Sequence, residues 1–177
     1  MRFAADQWIV LHATTRRKIM SDYQITAKEI EPQRVAILHA TIAGEAGIGR
    51  LFRTLHETLR EYGVEPAGPQ VAIYLDKVYT PRNIDVVAAV PIAADVHLPD
   101  TAAPVKVDEL PGGLVASLLR IGPWDNFQDA YEAILEWVEA NGYAVNGPNR
   151  EVHLLGPRSG VPPEEYELEI QFPIVKR

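Results

Sequence analysis

Apolar residues along this chain fall into short runs and helical stripes, and the two alternate in a fixed order. Val35-Ala36-Ile37-Leu38 and Leu114-Val115-Ala116-Ser117-Leu118-Leu119 are short apolar runs of the kind that strands bury. A stripe at helical spacing follows each. Ile48, Leu51, Phe52, Leu55 and Leu59 form the first, and Phe127, Ala130, Tyr131, Ile134 and Val138 the second. Gly63 and Gly142 stand past the stripes, where the residue after a helix takes positive φ. Gly68-Pro69 and Gly147-Pro148 then mark turns into hairpins. The hairpin strands are expected at about 71–76 with 84–90, and 150–155 with 166–172, and extended segments precede the two units around 23–30 and 105–110.

The order recurs because the sequence matches itself. Laid so that Pro32 falls on Pro111, the chain also sets Ile42 on Ile121, Phe52 on Tyr131, Leu55 on Ile134 and Gly63 on Gly142. Later, Val90-Pro91-Ile92 falls on Phe172-Pro173-Ile174, the change of register being absorbed in the loop Gly156–Pro163. The period is too long for a solenoid and reads as a duplication. The expected fold is α+β, two tandem βαββ units over about 23–92 and 105–174, joined by the linker 93–104. Residues 1–22 have no repeat partner and read as a poorly ordered extension, with Met20 as an alternative start, before a domain over 23–177.

Alternation within the hairpins separates two faces. Val152 and Leu154 point one way, Glu151 and His153 the other, while Leu168, Ile170 and Phe172 oppose Glu167, Glu169 and Gln171. The apolar face is expected under each unit's own helix. The outer face of the first unit would then carry Ala72, Tyr74, Asp85, Val87 and Ala89. On this reading Glu151 and Glu169 share the outer face of the second unit, where the first unit has Ala72 and Val87. A tyrosine such as Tyr74 beside two carboxylates makes a platform for a cation.

Composition narrows the function. Apolar residues are 47% and charged residues 23%, the balance of a globular domain. With no cysteine, disulfides, thiolate metal sites and thiol nucleophiles are excluded, which fits a cytoplasmic protein. The net charge of −7 and pI of about 5.2 argue against direct nucleic-acid binding and against anionic membranes. His12, His39, His56, His97 and His153 are scattered without metal-ligand spacing, and no cofactor motif is present.

Four stretches together resemble the GyrI-like small-molecule-binding family, the bacterial effector-binding or multidrug-binding domain, here in free-standing form. They are Ile121-Gly122-Pro123-Trp124; Leu135-Glu136-Trp137 leading to Asn141-Gly142-Tyr143; Arg150-Glu151-Val152-His153-Leu154; and Val161-Pro162-Pro163-Glu164-Glu165 running into Glu169-Ile170-Gln171-Phe172-Pro173-Ile174. The resemblance implies pseudo-twofold symmetry and antiparallel sheets around a central groove for amphipathic, often cationic, aromatic molecules. It maps the central acidic contact onto Glu169 and a second acidic residue onto Glu151, with His153 standing where a tyrosine is usual.

Tyr131 and Trp137 lie on or beside the apolar helix stripe, where core packing and pocket wall both suit them; Trp124 opens the helix and suits the pocket rim. Three functions compete. The first is binding of a small cationic aromatic molecule for sensing, sequestration or drug protection, through Glu169, Glu151, His153, Tyr74, Trp124, Tyr131 and Trp137. The second is hydrolysis of cyclopropane-bearing or other electrophilic natural products, with Glu169 as general base and Glu151 or His153 assisting. The third is a protein-interaction module whose partner is DNA gyrase or a transcription regulator. The sequence ahead of residue 23 is too short for a helix-turn-helix, so a one-piece regulator is not expected.

Overall fold

The computed structural model describes residues 23–44, 46–76, 83–125 and 127–177, so the 1–22 extension lies outside the described residues. Strands β1 (Ile25–Ile30) and β2 (Gln33–Ile42) lead into helix α1 (Ala46–Glu61), which returns through β3 (Gln70–Tyr74) and β4 (Ile84–Pro91). Then follow β5 (Lys106–Leu110), β6 (Gly113–Ile121), helix α2 (Gln128–Ala140), and strands β7 (Tyr143–Val145), β8 (Asn149–Leu155) and β9 (Glu167–Lys176). The fold is mixed α+β. Each stripe forms its helix with the apolar side inward: Phe52, Leu55 and Leu59 are buried on α1, and Ala130, Ile134 and Val138 on α2. Gly63 and Gly142 end the helices at φ of 68° and 75°, as their positions require.

The strands form an antiparallel sheet in the order β1-β6-β9-β8-β3-β4-β2-β5, with the short β7 added along β9. The hairpins pair as the sequence suggests, β3 with β4 and β8 with β9. The leading strands do not stay with their neighbours in sequence. β1 pairs with β6 and β5 pairs with β2, so each edge of the sheet is supplied from the other half of the chain. The connections Ile30–Gln33 and Leu110–Gly113 must therefore cross from one edge to the other. They pass so closely that a Cβ on Gly112 would lie 2.5 Å from the Ile30 carbonyl oxygen and 2.6 Å from the Pro32 nitrogen. The linker is held down as well, since Val96 and Leu98 pack on the first core and the Arg34 guanidinium donates to the Val96 carbonyl at 2.9 and 3.2 Å.

Apolar side chains cover both faces of the sheet's middle. Under α1 lie Ala36, Leu38, Ala72, Val86, Ala88 and Val90; under α2 lie Ala116, Leu118, Leu168, Ile170 and Phe172. On the opposite face Val35, Val71, Ile73, Ala89, Leu110 and Val152 form a third core. Edge residues Glu29 of β1 and Asp108 of β5 line one cavity together with Ile73 and Arg150 from the middle, so the sheet is curled toward that side.

Register corrects the expected faces. Ala72 pairs with Ala88 and Tyr74 with Val86, so Ala72 and Tyr74 lie beneath the helices, away from Val87 and Ala89. In the second half Glu151 pairs with Ile170 and His153 with Leu168, which puts both polar residues on the helix side. Val152 pairs with Glu169, which puts both on the curled-in side. Glu151 and Glu169 do not share a face. The cause is that Val152 faces a third core that the sequence pattern does not announce.

Candidate functional site

The middle of the sheet, β3 beside β8, lies below the gap between the two helices, and polar groups collect there. Ala72 stands directly across from Glu151 and is fully buried in the first core. Tyr74, on the same side of β3, reaches diagonally and donates its hydroxyl to Glu151 Oε2 at 2.9 Å. From α2, Tyr131 donates to Glu151 Oε1 at 2.7 Å and itself accepts from Asn149 Nδ2 at 2.9 Å. Glu151 is only 8% exposed. A carboxyl group so far from water is costly to bury without hydrogen bonds, and the two tyrosine hydroxyls supply two of them.

Beside it, His153 sits between aromatic edges. The Phe52 ring of α1 approaches at 5.2 Å between centroids and Trp124 at 4.9 Å, both edge-on, and Trp124 also meets Tyr166 at 5.3 Å. Both ring nitrogens of His153 and Trp124 Nε1 are sealed from solvent with no hydrogen-bond partner among the described residues. Burial pushes the His153 pKa down to about 4, so the ring is a neutral imidazole near pH 7. Trp124 fits because residue 156 is glycine: a Cβ there would lie 2.5 Å from the indole Cη2. Gln70 stands across from His153, and its Oε1 is 2.9 Å from His56 Nε2.

Five of the residues anticipated from sequence thus gather in one cluster on the helix side of the sheet: Glu151, His153, Tyr74, Trp124 and Tyr131. Two do not. Trp137 stacks on Tyr143 with ring planes 9° apart and packs against the α2 core. Glu169 lies on the other face, where its Oε1 accepts from Ser117 Oγ at 2.6 Å and Gln171 Nε2 at 2.9 Å and pairs with Lys28 Nζ at 2.6 Å. Burial alone would raise its pKa, but those three donors and the lysine charge hold it below the ordinary carboxylate range. Sequence reasoning missed Asn149, which carried no signal, and Phe52, whose place in a helix stripe read as core. Among the described residues no group of histidine and carboxylate side chains could hold a metal ion, and no helix is long and apolar enough to cross a membrane.

A domain of this fold, with a carboxylate and aromatic rings buried between two helices and a sheet, is built for small-molecule binding. The chain belongs to the GyrI-like small molecule binding domain family, whose model matches residues 23–175. No curated protein sequence matches it. Among solved structures it is similar to EcmrR in a DNA complex, with TM-score 0.83 and 23% identity over 97% of this chain. The chain spans 63% of that EcmrR chain. The crystallised EcmrR C-terminal domain matches with TM-score 0.79 and 24% identity, covering 88% of this chain and 99% of that one. A hydrolase from Listeria innocua matches with TM-score 0.61 at 11% identity, covering 86% and 92%. SAV2435, solved bound to tetraphenylphosphonium, matches with TM-score 0.52 at 11% identity, covering 86% and 94%. At these identities the likeness is one of fold.

Proposed function

We propose that the chain binds amphipathic, cationic aromatic molecules in the cleft between α1, α2 and the sheet, with Glu151 as the charge-bearing contact, for sensing or sequestration in the cytoplasm. The observation that carries this reading is Glu151 itself, a carboxylate 8% exposed and framed by the rings of Tyr74 and Tyr131. A carboxylate attracts a cation without fixing its shape, and aromatic walls add area and cation–π attraction. Entry requires the tyrosine hydroxyls to yield, and the unpartnered nitrogens of His153 and Trp124 offer a ligand further polar contacts. Apart from the short β7, the element order is the same before and after the linker, which supports reading the chain as a duplicated βαββ unit whose halves meet at this cleft. The fold shared with the EcmrR domain supports a transcription regulator as the protein partner such a sensor would serve.

The hydrolase reading with Glu169 as general base has less support. A carboxyl held below its ordinary range by Lys28, Ser117 and Gln171 is a weak proton acceptor. The test is calorimetric titration with tetraphenylphosphonium, the aromatic cation bound by SAV2435, and with the uncharged tetraphenylmethane core made soluble by a neutral polar tail. Glu151→Gln should weaken the cation roughly 30-fold or more and leave the neutral compound within about threefold, since a desolvated charge pair is worth about 2 kcal/mol or more. Equal cation affinity in wild type and variant would refute it.

A further inference from the structure

Arg150 is the other buried charge of the sheet, and it faces away from the cleft. It is 6% exposed, and its strand neighbours on either side are Ile73 and Gln171. Around it is the third core, with Val35, Val71, Ala89, Leu110 and Val152. Among the described residues its Nε has no hydrogen-bond partner and no carboxylate pairs with it. Glu169, the carboxylate on the same face, already takes hydrogen bonds or an ion pair from Lys28, Ser117 and Gln171.

Such a group needs an explanation. A guanidinium cannot shed its charge to escape burial, and a buried donor without a partner is costly. Strand packing does not demand it, because the residue matching Arg150 in the sequence's self-alignment is Val71, an apolar member of the same core. Desolvation acts on the guanidinium as expected and lowers its pKa.

What Arg150 does border is empty space. It lines a cavity of about 730 Å³ and a second of about 300 Å³. The larger has apolar walls, Val35, Ile37, Ile73, Val87 and Leu110, and exposed acids Glu29, Asp108 and Glu109 along its lining. That size suits a small organic ligand. The planar fork of arginine matches a carboxylate in two parallel hydrogen bonds. Lys176 also lines the cavity, but three acids outnumber it there and repel polyanions far more than a singly charged molecule, which argues against phosphate.

We infer that the Arg150 cavity is a second binding site, separate from the Glu151 cleft, for a small monocarboxylate with an apolar body. Arg150 binds the carboxylate, and the walls take the body.

The test titrates the full chain with octanoate, octan-1-ol and inorganic phosphate, by calorimetry and by thermal shift. Octanoate is expected to bind saturably. Arg150→Met, close in shape and uncharged, should weaken it about 30-fold or more, keep any octanol binding, and be at least as stable as wild type. Arg150→Lys keeps the charge, loses the fork, and should weaken octanoate about tenfold, which tests the site even if the methionine variant fails to fold. Glu151→Gln should leave octanoate affinity unchanged, so this site stands or falls independently of the cleft. No saturable octanoate binding, equal affinity in wild type and both variants, or a preference for phosphate would overturn the inference.

Discussion

Glu151 and Glu169 sit in adjacent antiparallel strands yet face opposite sides of the sheet, because Glu151 pairs with Ile170 and Glu169 with Val152. The side chain of Glu151 ends among tyrosines beneath the helices, and that of Glu169 ends on a lysine. Two carboxylates that look equivalent in sequence therefore have different surroundings.

Glu169→Gln should leave tetraphenylphosphonium affinity within about threefold of wild type, in contrast to Glu151→Gln. Its stability cost should be about 1 kcal/mol or less, because its Lys28 partner is 43% exposed and the pair is screened by solvent. Denaturant melts and the same titrations measure both. A large loss of cation binding in Glu169→Gln would move the site to the other face.

His153 makes stability depend on pH. Its pKa is about 4 in the fold against about 6.5 unfolded, so the unfolded chain binds the extra proton between these values. Stability from this residue is complete above about pH 6.5 and falls as pH drops toward 4, by up to about 3 kcal/mol. His153→Phe keeps a ring against Phe52 and Trp124 and removes the titrating nitrogens. Melting temperatures from pH 7.5 to 4.5 should fall less steeply for the variant. Glu169 weakens stability too, but only at lower pH, as its depressed carboxyl takes up a proton. Parallel curves for wild type and His153→Phe would rule the effect out.

Gly156→Ala should push Trp124 out of its seat, since the new methyl would lie 2.5 Å from the indole. Overpacking of this kind costs about 1–3 kcal/mol. The indole should move toward water, with red-shifted emission that disappears in the Gly156→Ala/Trp124→Phe double variant. An unshifted spectrum would show that the ring has room.

Gly112→Ala should be worse, because its methyl meets the Ile30 carbonyl and the Pro32 nitrogen, which are backbone and cannot rotate away. A loss above about 2 kcal/mol is expected in denaturant unfolding. Gly49→Ala provides the contrast: it lies in the first turn of α1 with nothing within 4 Å of the new methyl, and should be neutral or stabilising by up to about 1 kcal/mol.

Much of the fold was legible. The helix stripes, the closing glycines Gly63 and Gly142 and both hairpins follow from local pattern and turn chemistry. The faces did not. Val86 through Val90 are apolar without a break because Val86, Ala88 and Val90 meet α1 while Val87 and Ala89 border the opposite core, so no alternation marks the sides. In β8 the pattern misled more actively: Val152 and Leu154 look like the helix-facing residues, while Glu151 and His153 occupy that side. A bulge between His153 and Leu155 then shifts the register. Polar residues turned toward a helix break the usual rule where a binding site needs them, and a local pattern cannot signal that. The three-residue β7 was too short to be seen. Arg150 gave no sign of its burial, because the core around it comes from strands distant in sequence.

The crossed pairing of β1 with β6 and β5 with β2 bears on how the protein is made. As the chain leaves the ribosome, β2 appears with one side open until residues 106–110 follow, and β1 waits still longer for residues 113–121. Open strand edges invite pairing with the wrong chain. A nascent chain stalled after the linker should thus remain sensitive to protease, and one extended past β9 should resist it. Synthesis supplies the first half early, but its completion is deferred until the second half arrives.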